Sequence, residues 1–206
     1  MIQCSRMRTA YAMIGLGFLI IFGGLYLANV RFTKPSDVPL DTSNNSLNTM
    51  SSTLTLTSSA FDAQASIPSQ FTCDGKGINP PLTFGGVPES TKSLVLIMDD
   101  PDVPKALKQD GIFDHWVLFN IPPTTKEIAS GEMVGTLGGN GAGKNQYAAP
   151  CPPKQYEPSE HRYFFKLYAL DTELSLSTGA SKSDVEKAMQ GRIIAEAQLV
   201  GKYKRQ

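Results

Sequence analysis

Asp99–Asn120, DDPDVPKALKQDGIFDHWVLFN, follows one apolar run, Ser93–Met98 (SLVLIM), and contains the start of a second, His115–Ile121 (HWVLFNI). Runs of this length, rich in aliphatic and aromatic residues and bounded by turn formers, predict two buried strands joined by an irregular loop. Pro101 and Pro104 hold φ near about −65° and bias the residues before them away from helix, so Asp99, Asp100 and Asp102 lie on a stiff, extended turn. The loop returns to a strand that begins with His115. Carboxylates at the exit of one strand and a histidine at the entrance of the next can converge at one end of a sheet, where polar groups above an apolar floor suit a small ligand. Asp100 and Asp102 would equally well cap a turn, as Asp beside Pro often does, and this stretch alone admits both readings.

Outward from this pair, Leu54–Thr57 alternates like a short strand. Ile67–Phe84 supplies β-type residues broken by turn signals, and further strand runs occupy Tyr163–Leu170 and Ile193–Tyr203. Ser181–Gln190, ended by Gly191, predicts the one clear helix, with Ser181 or Ser183 able to cap it against the acid three residues on. Many strands, Gly- and Pro-rich loops and a late helix predict a mainly β chain: an antiparallel β-sandwich with a few short helices over residues 54–206, large enough for a real core.

The N-terminal quarter is of another kind. Tyr11–Val30 is an uncharged run of 20 residues. As a helix it is about 30 Å long, enough to cross a bilayer. Residues 1–34 are expected to be an uncleaved signal anchor, because Tyr26–Val30 makes a poor signal-peptidase site; a cleaved signal peptide is the rival reading. Residues 35–53, rich in Ser, Thr, Asn and Pro, read as a flexible polar tether. A single anchor followed by such a tether suggests that the domain is exported, to the periplasm or the exterior, or secreted if the segment is cleaved. The chain has 19 basic and 19 acidic residues; removing Arg6, Arg8, Arg31 and Lys34, the four charges of residues 1–34, leaves 15 basic against 19 acidic, so residues 35–206 carry about −4. That balance argues against a nucleic-acid partner, which needs a basic face.

Gly138–Lys144 (GGNGAGK) approaches a phosphate-binding loop, but Asn145 stands where Ser or Thr must hold Mg²⁺. Tyr147–Pro153 (YAAPCPP) cannot open the helix that would face the phosphate, so the stretch reads as a mobile glycine loop. Pro150–Pro153 instead makes a rigid wall, and His161-Arg162-Tyr163 opens the next strand. The chain has two histidines, and each stands at a strand entrance near a Pro-rich segment.

D-P-D-x-P followed by a histidine at a strand start, then G-x-N-x-x-G-x-x-x-Y-x-x-P-C-P-P and H-R-Y-F-F, resembles the phosphatidylethanolamine-binding protein family, whose animal members include the Raf kinase inhibitor protein. Phe71-Thr-Cys-Asp-Gly, Asn79-Pro-Pro-Leu and Pro-Cys-Pro-Pro look like its bacterial branch. The resemblance covers Leu54–Tyr203 and implies an antiparallel β-sandwich with a small pocket for phosphate, acetate or a phosphorylated head group. Carried over by motif, the ligand-binding residues are Asp100, Pro104, His115, Cys151, Pro152, Pro153, His161 and Tyr163. Departures occur where Phe113-Asp114 replace the Trp and His of animal members, where Ala148-Ala149 replace the usual glycines, and in a longer spacing from Pro153 to His161.

The implied function is non-catalytic: a module that binds a phospholipid head group, a phosphorylated small molecule or a phosphorylated protein segment, without a cofactor, and that can inhibit a kinase or protease. His115, His161 and Tyr163 supply donors for an anion, and Asp100 can orient an imidazole by accepting its other N–H. As a strand-end polar residue, His115 is expected to carry little packing. Two alternatives stand beside this reading. Asp100 and His115 are the ingredients of an acid/base pair for hydrolysis, although no G-x-S-x-G nucleophile motif occurs. Cys73, Cys151, His115 and His161 are zinc-type ligands, although no C-x-x-C or H-x₃-H pair sets their geometry; the same cysteines could instead be bridged in an exported domain.

Overall fold

The computed structural model describes residues 53–206. In chain order they form β1 (Thr55–Thr57), β2 (Leu82–Gly85), β3 (Ser93–Asp100), β4 (Phe113–Ile121), β5 (Glu127–Ile128), β6 (Thr136–Leu137), β7 (Glu160–Leu170), α1 (Lys182–Met189) and β8 (Ile193–Lys204), with a 3₁₀ turn at Ser69–Phe71. A three-stranded sheet, β1-β2-β5, faces a five-stranded sheet, β6-β4-β3-β7-β8, and the pairings between these strands are antiparallel. The predicted signal anchor of residues 1–34 and the tether up to residue 52 lie outside the described residues. Among those described, no helix is long and apolar enough to cross a membrane.

β3 is the centre of the larger sheet, and all eight of its residues are buried. Its unbroken apolar run follows from having both faces covered. Leu94, Leu96 and Met98 join the core between the sheets, with Leu56, Leu82, Phe84, Trp116, Leu118, Phe165 and Leu167. Val95 and Ile97 join a second cluster on the outer face, with Val117, Phe119, Leu170, Leu174 and the α1 residues Val185 and Met189. α1 begins where the sequence predicts. The Ser181 hydroxyl accepts from the Asp184 amide while the Asp184 carboxylate accepts from the Ser181 amide, a reciprocal cap.

Two expectations need correction. Ile67–Phe84 gives one strand, β2; Ile67, whose amide donates to the Lys202 carbonyl, and Phe71, which closes the 3₁₀ turn, are buried anchors outside any named strand. The glycine loop is laced by Asn140, whose side-chain oxygen accepts from the amides of Ala142 and Lys144 and whose amide donates to the Gln146 carbonyl.

Cys73 and Cys151 are bridged, with Cα atoms 5.4 Å apart and a sequence separation of 78. The bond pins the Pro-rich wall to the Phe71–Gly75 turn, where the Cys73 amide also donates to Pro150 and the Tyr147 hydroxyl to the Phe71 carbonyl. A crosslink that closes so long a loop typically contributes about 2–4 kcal/mol. Full reduction of the 206-residue chain should therefore lower its melting temperature by roughly 5–15 °C. An unchanged melting curve after thiol titration confirms reduction would show that the bridge does not hold the wall.

Candidate functional site

Strand alternation splits the acids at the end of β3. Asp99 continues the outer series and contacts Lys166 at 2.8 Å and Lys182 at 3.3 Å. Asp100 continues the inner series, where one carboxylate oxygen accepts from His161 Nδ1 at 2.6 Å and the other from the Asp102 amide at 2.8 Å. His161 reaches that face by the regular alternation of β7, in which His161, Tyr163, Phe165 and Leu167 are buried.

His115 arrives by a different route. The β3–β4 register runs Met98↔Trp116 and then Asp99↔Asp114, so His115 is the extra residue of a bulge. A bulge can redirect a side chain. His115 Nε2 here lies 3.9 Å from the Asp100 oxygen that binds His161, while Asp114 goes outward to Lys182 at 2.7 Å. His115 Nδ1 is 2.6 Å from the Ala148 carbonyl, and the Ala148 amide donates back to the His115 carbonyl. A carbonyl only accepts, so Nδ1 carries the proton. By the same argument His161 donates through Nδ1 to the carboxylate, and its Nε2 is buried without a hydrogen-bond partner.

These three groups lie in the wall of a cavity of about 610 Å³, together with Val103, Leu107, Lys108, Phe113, Gly141, Ala148, Ala149, Cys151, Pro152 and Pro153. Six of the eight residues expected from the sequence therefore meet in one place. Pro104 is not in the lining; its carbonyl accepts from the amides of Leu107 and Lys108 and so shapes the loop that supplies the mouth. Tyr163 is not in the lining either. It is fully buried beneath the site, with its ring edge-on to His115 at 5.2 Å, stacked on His161 at 6.5 Å and its hydroxyl unpartnered. The donor role expected of Tyr163 thus becomes a supporting one. His115 is also no lightly packed strand end: it is 5% exposed and is held between Phe113 and Tyr163. The Cys/His zinc alternative loses both sulfur ligands, because the two thiols are consumed by the bridge.

Sequence reasoning missed Val103, Leu107, Lys108 and Gly141, and named Phe113, Ala148 and Ala149 only as departures from the family pattern. Of these, Gly141 had a readable signal in its Gly-rich loop, although its reason is contact: a Cβ there would meet the Phe113 ring at 2.9 Å. Apart from Lys108, the lining around the three polar groups is apolar, and Leu107 is 53% exposed. The cation at the mouth, Lys108, is paired with Asp110 at 2.5 Å. Arg162, at the start of β7, grips Asp102 through its backbone amide and guanidinium at 2.7–2.9 Å and ties the loop to the strand.

Burial pushes the Asp100 carboxyl up, but the imidazoles of His115 and His161 and the Asp102 amide favour the anion, and together they hold it below its ordinary 3.8. A carboxyl lowered on folding contributes stability that is complete above the unfolded value and is lost as the pH falls through the folded one. Chemical-denaturation midpoints measured from about pH 5 to about pH 2 should therefore fall less steeply for Asp100→Asn than for the parent. Parallel curves would show that Asp100 is not held as a carboxylate by the fold.

Comparison with known proteins agrees with this architecture. The model of the phosphatidylethanolamine-binding protein family matches residues 57–204. A UPF0098 protein of Chlamydia trachomatis is 44% identical over 151 residues, 73% of this chain and 98% of that protein. Another, from Methanothermobacter thermautotrophicus, is 46% identical over 159 residues, 74% and 99% of the two chains. Among solved structures, a phosphatidylethanolamine-binding protein homolog from Chlamydia trachomatis superposes with a TM-score of 0.72 at 43% identity, covering 76% of this chain and all of that one. Escherichia coli YbcL, described as a member of the mammalian family, gives 0.66 at 26% identity, with 74% and 99% covered. The two sheets, the buried Asp100–His161 pair and the family match over most of the chain lead to one statement: this protein belongs to the phosphatidylethanolamine-binding protein family.

Proposed function

We propose that the chain is a non-catalytic binding module whose cavity takes the phosphate group of a small molecule, a lipid head group or a phosphorylated protein segment. The observation that carries this reading is the meeting of Asp100, His115 and His161, all at most 5% exposed, in the wall of a cavity whose lining, apart from Lys108, is otherwise apolar. A phosphate oxygen can accept from an imidazole Nε2–H once the ring is protonated, and the substituent on phosphorus can lie along Val103, Leu107 and Phe113. A kinase or protease would be inhibited by presenting a phosphorylated segment to the same three groups. The Cys73–Cys151 bridge favours an oxidising compartment, in keeping with export.

Hydrolysis remains the second reading, because a histidine–carboxylate pair can activate water. Against it, the lining holds no Ser or Thr, and the sulfur of Cys151 is bridged.

Calorimetric titration of the full chain with inorganic phosphate and phosphoethanolamine should give micromolar to millimolar affinity, because the nearby Asp100 carboxylate opposes a second negative charge. His115→Ala should weaken both ligands about tenfold or more. It should also lower the melting temperature, since the Ala148 hydrogen bond and two ring contacts go with it. Leu107→Glu adds charge at an exposed position of the mouth, so it should weaken the anion with little effect on stability and regain affinity in high salt. Unchanged phosphate affinity in both variants would place the ligand elsewhere.

A further inference from the structure

The hydrogen bonds that organise the site leave it short of donors. Each imidazole commits its Nδ1–H, His115 to the Ala148 carbonyl and His161 to Asp100. A neutral ring then offers the cavity only the lone pair of Nε2. Asp100 is an acceptor as well, and the Asp102 amide and His161 occupy only two of the roughly four lone-pair positions that a carboxylate provides. The lining holds no Ser, Thr, Tyr, Asn or Gln to add a side-chain N–H or O–H. Its one cation, Lys108, is paired with Asp110, and Arg162 beside the loop is paired with Asp102.

At the buried base formed by Asp100, His115 and His161, an oxyanion meets side-chain acceptors and, while the rings are neutral, no free side-chain donor. Asp100 is its buried neighbour, 3% exposed, and at contact distance an unprotonated oxygen facing a carboxylate is repelled and leaves both groups unsatisfied. If the ligand oxygen carries hydrogen, the same contact becomes an O–H···O⁻ bond of the strong, charge-assisted kind. Sites built around such a bond reject the isostere that lacks it, because the buried partner is then left unpaired.

We propose that Asp100 makes the cavity selective for oxyanions that bring their own proton, so that it takes inorganic phosphate and protonated phosphate monoesters and rejects sulfate. This rests on the anion-binding reading above and adds a selectivity to it. Sulfate is the sharp comparison, since it matches phosphate in size and tetrahedral shape but carries no proton near neutrality.

The test is calorimetric titration of the full 206-residue chain with inorganic phosphate and, separately, sodium sulfate at about pH 8 and matched ionic strength. Phosphate should bind at least about tenfold more tightly than sulfate, the factor expected for one hydrogen bond to a charged group. In Asp100→Asn, whose amide supplies a donor at the same place, sulfate should gain and the ratio should fall toward one. Because Asp100 also holds His161, the parent's ratio decides the matter if that variant fails to fold. Equal affinity of the parent for the two anions would overturn the selectivity and leave the anion site standing. Binding of neither would overturn the anion-binding reading, and the selectivity with it.

Discussion

The buried hydrogen bond from His161 Nδ1 to the Asp100 carboxylate is the constraint on which the rest of the site depends. It joins the end of the central strand to the start of its neighbour inside the sandwich, where an unpaired charge would be costly. The bond has to form where alternation delivers both side chains to the same face. Asp100 continues the inner series of Leu94, Leu96 and Met98, and His161 begins the inner series of Tyr163, Phe165 and Leu167. Asp99, one residue earlier, answers to the opposite face and its lysines. Asp102 then repeats the link outside, gripping Arg162, so the loop between β3 and β4 is held at its base by two carboxylates that reach one strand.

Much of this arrangement was legible in the sequence because it follows simple periodicity. The unbroken run of β3 announced a strand covered on both sides, and the capping pattern at Ser181–Asp184 announced α1. The cavity wall was expected not from periodicity but from the family resemblance that the spaced Asp, His and Pro-Cys-Pro-Pro motifs carry. What was illegible depends on pairing between distant segments. No local signal says that the β3–β4 ladder slips at His115, yet that slip sets the ring beside Asp100 while Asp114 turns outward. The two-residue strands β5 and β6 are too short for a periodic signal. Tyr163 was expected at the ligand because its motif places it near His161; two residues on along the same face, it lies deeper and supports both rings instead.

The wall shows how a small cavity is kept open in a packed domain. Pro150, Pro152 and Pro153 stiffen the segment, the Cys73–Cys151 bridge holds it against the Phe71–Gly75 turn, and two hydrogen bonds join them, from the Tyr147 hydroxyl to the Phe71 carbonyl and from the Cys73 amide to the Pro150 carbonyl. Gly141, pressed against Phe113, closes one side without filling the space. A rigid wall and a doubly tethered loop hold the three buried groups in place, so a ligand recognised there would have little left to organise. The departures at Phe113, Ala148 and Ala149 all lie in this lining, where they alter the shape around the polar base without touching the Asp100–His161 bond.

Both imidazoles donate through Nδ1, His115 to the Ala148 carbonyl and His161 to Asp100, so the proposed anion would meet Nε2 of each ring. Nitrogen-15 spectra of the full chain labelled at histidine report this directly. Both rings, when neutral, should be Nδ1–H tautomers, and added inorganic phosphate should shift both Nε2 resonances while the Nδ1 signals stay those of hydrogen-bonded donors. Nε2–H tautomers, or phosphate binding that leaves every ring nitrogen unmoved, would contradict it.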